Sequence, residues 1–79
     1  MLQQTTHANY LDDLVHKVRQ GDDIEFAFDM LGKGEQAYVA LAANSAVLLK
    51  RMDYTIAEAI YRLGWDQTHE LVNRWRFQR

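Results

Sequence analysis

The chain has 79 residues, 48% of them hydrophobic, with no cysteine, no proline and a formal net charge of −2. That length makes one domain, able to bury roughly 60–65% of the surface its unfolded form exposes. The lack of cysteine excludes a disulfide framework and a thiolate zinc site.

The first ten residues, MLQQTTHANY, lack the basic and apolar regions of a signal peptide, and 1–8 are expected to form a loose segment. Leu11, Leu14, Val15 and Val18 then repeat at helical spacing, with Gly21 as a stop. Asp22 offers the next N-cap and Glu25 sits three residues on, close to a capping box. Ile24, Ala27, Phe28 and Leu31 make the inward stripe of a second helix, ended by Gly32 and Gly34. A hairpin over 24–41 competes, because IEFAFDM also alternates with a period of two. The caps and the alanine-rich continuation favour helix.

The third helix, 35–52, is expected to be the buried centre. Tyr38, Leu41, Ala42, Ser45, Leu48, Leu49 and Met52 hold one face, and Val39, Ala40, Ala43, Ala46 and Val47 make the other side apolar and mostly small. A helix apolar nearly all round is buried. Thr55 and Glu58 form a capping box for a fourth helix, with Ile56, Ile60 and Leu63 facing inward until Gly64. Asp66 caps a fifth, lined by Leu71, Val72 and Trp75. The expected fold is an all-α single domain: a compact bundle of about five short helices around 35–52, ending in a helix-turn-helix-like hairpin.

Little here suggests catalysis. Nucleophilic chemistry needs a hydroxyl or thiol beside a positioned base, and Ser45, the lone serine, is expected on the core face. His7, His16 and His69 lack metal-binding spacing; Asp12 and His16 share a helix face but read as a surface pair. Asp12 and Asp13 diverge by about 100° on a helix, while Asp22 and Asp23 read as capping. Gly32-Lys33-Gly34 lacks the spacing of a phosphate loop. No enzyme activity, cofactor or metal is expected.

Two binding readings remain. Phe26 and Met30 lie four apart on the side of the second helix away from its inward stripe, where a monomeric bundle has no use for them. Framed by Asp23, Glu25 and Asp29, they predict a contact patch for a basic protein surface or for a second copy. The rival is DNA reading by the last helix of YTIAEAIYRLGWDQTHELVNRW, with Gln67, His69, Asn73, Arg74 and Arg76 outward. Counted from Gly64, however, the apolar positions of a compact helix-turn-helix fall on Trp65, Glu70 and Asn73, and only Trp65 fits. A turn longer by two residues puts Val72 and Trp75 in place. Charge is also uneven: residues 1–43 carry a net −4 and residues 44–79 a net +2, a polarity able to orient a partner.

The order YLDDL, DDIE, EQAYVALAAN resembles that of the Hha-type modulators, small helical proteins that bind nucleoid-associated proteins. The resemblance spans about half the chain, lies in segment order rather than in a motif, and leaves the C-terminal helix pair without a counterpart. It implies action through a protein partner. The residues point the same way without it: a small cytoplasmic regulator or inhibitor of the kind phages and plasmids carry, binding another protein, with no membrane association because no apolar run reaches the roughly 20 residues that span a bilayer.

Overall fold

The computed structural model describes residues 2–76, and the side chains of 9–76. It contains six α-helices and no strand among the described residues, so the hairpin over 24–41 is excluded. They are α1 (Leu2–Arg19), α2 (Glu25–Asp29), α3 (Lys33–Ala42), α4 (Ala46–Met52), α5 (Ile56–Leu63) and α6 (Trp65–Trp75). α1 takes in residues 2–8, which the sequence leaves loose. The radius of gyration, 11.6 Å, is that of a compact chain of this length.

The expected central helix is two helices. It breaks at Asn44, whose φ of 53° is left-handed, and Ser45 restarts it as the N-cap of α4, its Oγ accepting from Leu48 N–H at 3.1 Å. Ser45 is therefore a cap and not a core residue. Three helix ends share one device. At Gly21, Asn44 and Asp53 a left-handed residue lets the next N–H reach back five residues: Asp22 to the Lys17 carbonyl, Ser45 to Ala40 and Tyr54 to Leu49, at 2.9, 3.0 and 3.0 Å. The left-handed residue itself bonds three residues back, which completes a Schellman motif. Asn and Asp tolerate this conformation better than most residues with a Cβ, so helices end here without glycine.

The glycine stops are corrected accordingly. Gly21 and Gly64 end helices, but Gly32 is the N-cap of α3 and Gly34 lies within α3. Asp22 does not cap α2, whose N-cap is Ile24; the Asp23 carboxylate, one residue earlier, accepts from Glu25 N–H at 2.9 Å. The Thr55–Glu58 capping box is present, with bonds of 3.1 and 2.8 Å. Asp66 lies in the first turn of α6 behind Gly64, where a carboxylate suits the positive helix end.

α3 occupies the centre, packing against α1, α4, α5 and α6, most extensively against α5. Ala37, Val39, Ala40 and Ala42 are buried in it, and on α5 the buried residue is Ala59. Alanine on both sides removes side-chain bulk and lets two backbones approach. On α5, Ala59 is buried and Ile60 and Leu63 are half-buried on the expected inward face, but Ile56, at the first helical position, is exposed. Leu11, Leu14, Val15, Ile24, Phe28, Leu48, Met52, Leu71 and Trp75 complete the core; Val72 faces out.

A polar chain ties α1, α3 and α6 together. The Trp75 indole N–H donates to the Tyr38 hydroxyl, which donates to the Asp12 carboxylate, both at 2.9 Å, and Arg74 pairs with the other Asp12 oxygen at 2.5 Å. Burial, foremost, and the Asp12 carboxylate push the Tyr38 phenol above its ordinary value, against the Trp75 N–H. Tyr38 therefore stays a donor. His16 meets the Trp75 ring edge-on at 5.2 Å, and Arg19 lies 5.3 Å over it while donating to the Ala42 carbonyl at 3.2 Å.

Two outcomes follow. Asn44→Ala places an ordinary Cβ residue in the left-handed region and should cost about 1 kcal/mol, while Asn44→Gly should cost little or stabilise; thermal midpoints in the opposite order rule out the left-handed turn. Tyr38→Phe leaves Asp12 and Trp75 each short of a partner and should cost about 1–3 kcal/mol. An unchanged melting curve for that variant means the chain Asp12–Tyr38–Trp75 holds nothing together.

Candidate protein-binding site

α2 has five residues, too few to be stable as an isolated helix. Its position comes from anchors. Ile24 and Phe28 enter the core, Ala27 and Leu31 are half-buried, and Gln36 of α3 donates its amide N–H to the Phe28 carbonyl at 2.9 Å. On the far side Arg51 of α4 grips it. The guanidinium donates to both Asp29 oxygens, Nε at 2.8 Å and a terminal nitrogen at 2.6 Å, and lies 3.3 Å from Glu25. This fork holds the Asp29 carboxyl below its ordinary value and raises Arg51.

What remains of α2 faces solvent. Phe26 is 82% and Met30 74% exposed, one turn apart. Val47, 72% exposed, lies one turn before Arg51 on α4. The structure thus brings the five predicted residues Asp23, Glu25, Phe26, Asp29 and Met30 onto one short helix and its cap. Their carboxylates are not all free, as the sequence suggests. Asp23 is engaged as a cap, and Glu25 and Asp29 share Arg51. Three carboxylates against one guanidinium still leave the rim negative.

The DNA candidates are distributed differently. Gln67, His69, Asn73, Arg74 and Arg76 are exposed along α6. His69 and Asn73 lie 3.3 Å apart, so they engage each other. Arg74 is held by Asp12 of α1, and Asp66 and Glu70 share the helix with the two arginines. Gly64 is the sole residue between α5 and α6, where a helix-turn-helix has a turn of three to four. The two helices pack on each other, but with neither the turn nor a basic stripe.

No family model matches the chain, and no curated protein or solved structure matches it either. The segment order shared with the Hha-type modulators accordingly carries no assignment. Among the described residues no group of three His, Asp or Glu converges as a metal site, and no helix is long and apolar enough to cross a membrane.

Sequence reasoning overlooked a second apolar area. Tyr61 and Trp65 are 88% and 82% exposed. Tyr61 comes outward because Ala59, on the opposite side of α5, goes in, and the cue was one small residue, Ala59, among larger apolar ones.

The Arg51 fork generates a prediction. Arg51→Met should leave the global melt nearly unchanged while amide exchange of Phe28 and Asp29 accelerates, since the exposed pairs bear on α2 alone. Acid should act likewise. A carboxyl whose folded value is lowered contributes above its unfolded value, 3.8, and that contribution is lost as pH falls below it. Equal protection of α2 in both proteins near neutral pH removes the role given to Arg51.

Proposed function

We propose that this protein is a small regulatory module that acts by binding another protein, not by catalysis, with the exposed face of α2 as the contact. The observation that carries this reading is the pair Phe26 and Met30, 82% and 74% exposed on a helix whose opposite face is anchored in the core by Phe28. Two large apolar groups in water are a cost to a monomer and an asset to an interface, where aromatic residues and methionine are enriched. Methionine also adapts to irregular partner surfaces. The negative rim of Asp23, Glu25 and Asp29 favours a basic partner and speeds its approach. Anchoring by Phe28, Gln36 and Arg51 fixes α2 before contact, so little ordering remains to be done on binding. A soluble chain of this size, acidic and helical, suits a modulator or inhibitor carried by a phage or plasmid and acting in the cytoplasm.

The test is a pull-down from the native host with nuclease-treated and untreated arms, using wild type and Phe26→Asp. Phe26 is exposed, so the substitution should leave the thermal midpoint near wild type, and the partner should be recovered in both wild-type arms and lost with the variant. Recovery in the untreated arm alone points to nucleic acid. Unfolding of Phe26→Asp would mean that Phe26 belongs to the core and the patch does not exist.

A further inference from the structure

The outer face of α5 carries a second surface, independent of α2. Residues Ala57 and Tyr61 form one exposed row, turned away from buried Ala59, and Glu58 and Arg62 the adjacent exposed row. With Tyr54 these four side chains line a shallow, mostly apolar hollow. Its walls are ordered. Lys33 of α3 lies 5.8 Å over the Tyr54 ring, Arg62 Nε is 3.4 Å from the Tyr54 hydroxyl, and Glu58 accepts from Thr55 N–H at 2.8 Å. Tyr61 stands beside the hollow and is 88% exposed.

We infer that this face is a homodimer contact, in which two copies of α5 pair antiparallel about a twofold axis and each Tyr61 enters the other's hollow over Ala57. A twofold contact must be self-complementary, residue i meeting j while j meets i, and the α5 face meets that condition in charge and in shape. Reversing the helix direction carries the Glu58–Arg62 row onto itself with its order inverted. Glu58 then faces Arg62 of the second copy, and Arg62 faces Glu58. The parallel row, Ala57 and Tyr61, sets a small residue of one copy against the ring of the other, so the space beside Ala57 is filled by the side chain with the most exposed ring. One acid and one base make the face locally neutral, so the net charge of −2 does not concentrate there. The contact involves few residues, which places it among small interfaces and predicts a weak, concentration-dependent dimer. None of this rests on the α2 reading.

Sedimentation equilibrium of the purified chain from micromolar to millimolar concentration tests the inference. Wild type should pass reversibly from monomer to dimer. Tyr61→Glu and Arg62→Glu should each weaken the dimer roughly tenfold or more without moving the thermal midpoint, since both side chains are exposed. The charge exchange Glu58→Arg with Arg62→Glu should recover association relative to Arg62→Glu alone, a result that generic stickiness of Tyr61 does not produce. Phe26→Asp should dimerise like wild type. The inference is overturned by a chain that stays monomeric throughout, by a dimer indifferent to Tyr61→Glu, by a charge exchange that recovers nothing, or by a dimer lost with Phe26→Asp, which would move self-association to α2.

Discussion

The architecture depends on how closely a ten-residue helix can be approached. α3 is touched by four other helices, and a helix that short has little circumference to offer each of them. Alanine at 37, 40 and 42, met by Ala59 of α5, resolves the crowding by giving up side-chain volume where backbones come together. The larger groups are displaced to the margins. Phe28 and Val15 fill space beside α3, and Tyr38 and Trp75 meet at its rim, where their polar atoms find partners. The same crowding decides what is left outside. Once Ala59 is the inward residue of α5, Tyr61, on the opposite side of the helix, has nowhere to go but solvent.

How much of this was legible in the sequence differs from element to element. Helical period was plain wherever apolar residues recur against polar ones, as in Leu11–Leu14–Val15 and Ile24–Phe28. The Thr55–Glu58 box announced α5 because capping is local chemistry. The break at Asn44 was hidden. Left-handed geometry was sought at glycines, and the stretch from Val39 to Met52 stays apolar across the break, so period alone shows no interruption. On α5 the inward face was legible through Ile60 and Leu63, but its buried residue was not. Counting the largest apolar residues inward assumes that bulk marks the core, whereas against α3 the smallest residue, Ala59, is the one that fits. Of the candidate sites, the exposure of Phe26 and Met30 could be read from the residues. The Arg51 fork could not, because it joins positions 22 residues apart through tertiary packing.

The charge polarity along the chain is likewise not a polarity of the molecule. Arg51 and Arg74 belong to the basic second half of the sequence, and folding lays both on carboxylates of the acidic first half, at Asp29 and Asp12. A sequence-level imbalance thus becomes internal cross-linking between helices. On α2 it leaves a modest negative rim, and along α6 the acids Asp66 and Glu70 stand against Arg74 and Arg76.

The spacing of the helix ends has a kinetic consequence. Connections of one to five residues make most contacts local, and such chains fold fast because little loop entropy is lost before each contact forms. The Tyr38–Trp75 bond, bridging 37 residues, and the Asp12–Arg74 pair, which spans still more of the chain, lie at the other extreme. Contacts of that reach close the longest loops, so loop entropy weighs most against forming them early in folding. An interaction made only after the barrier acts as a brake on unfolding, setting how long the folded molecule persists more than how quickly it arises.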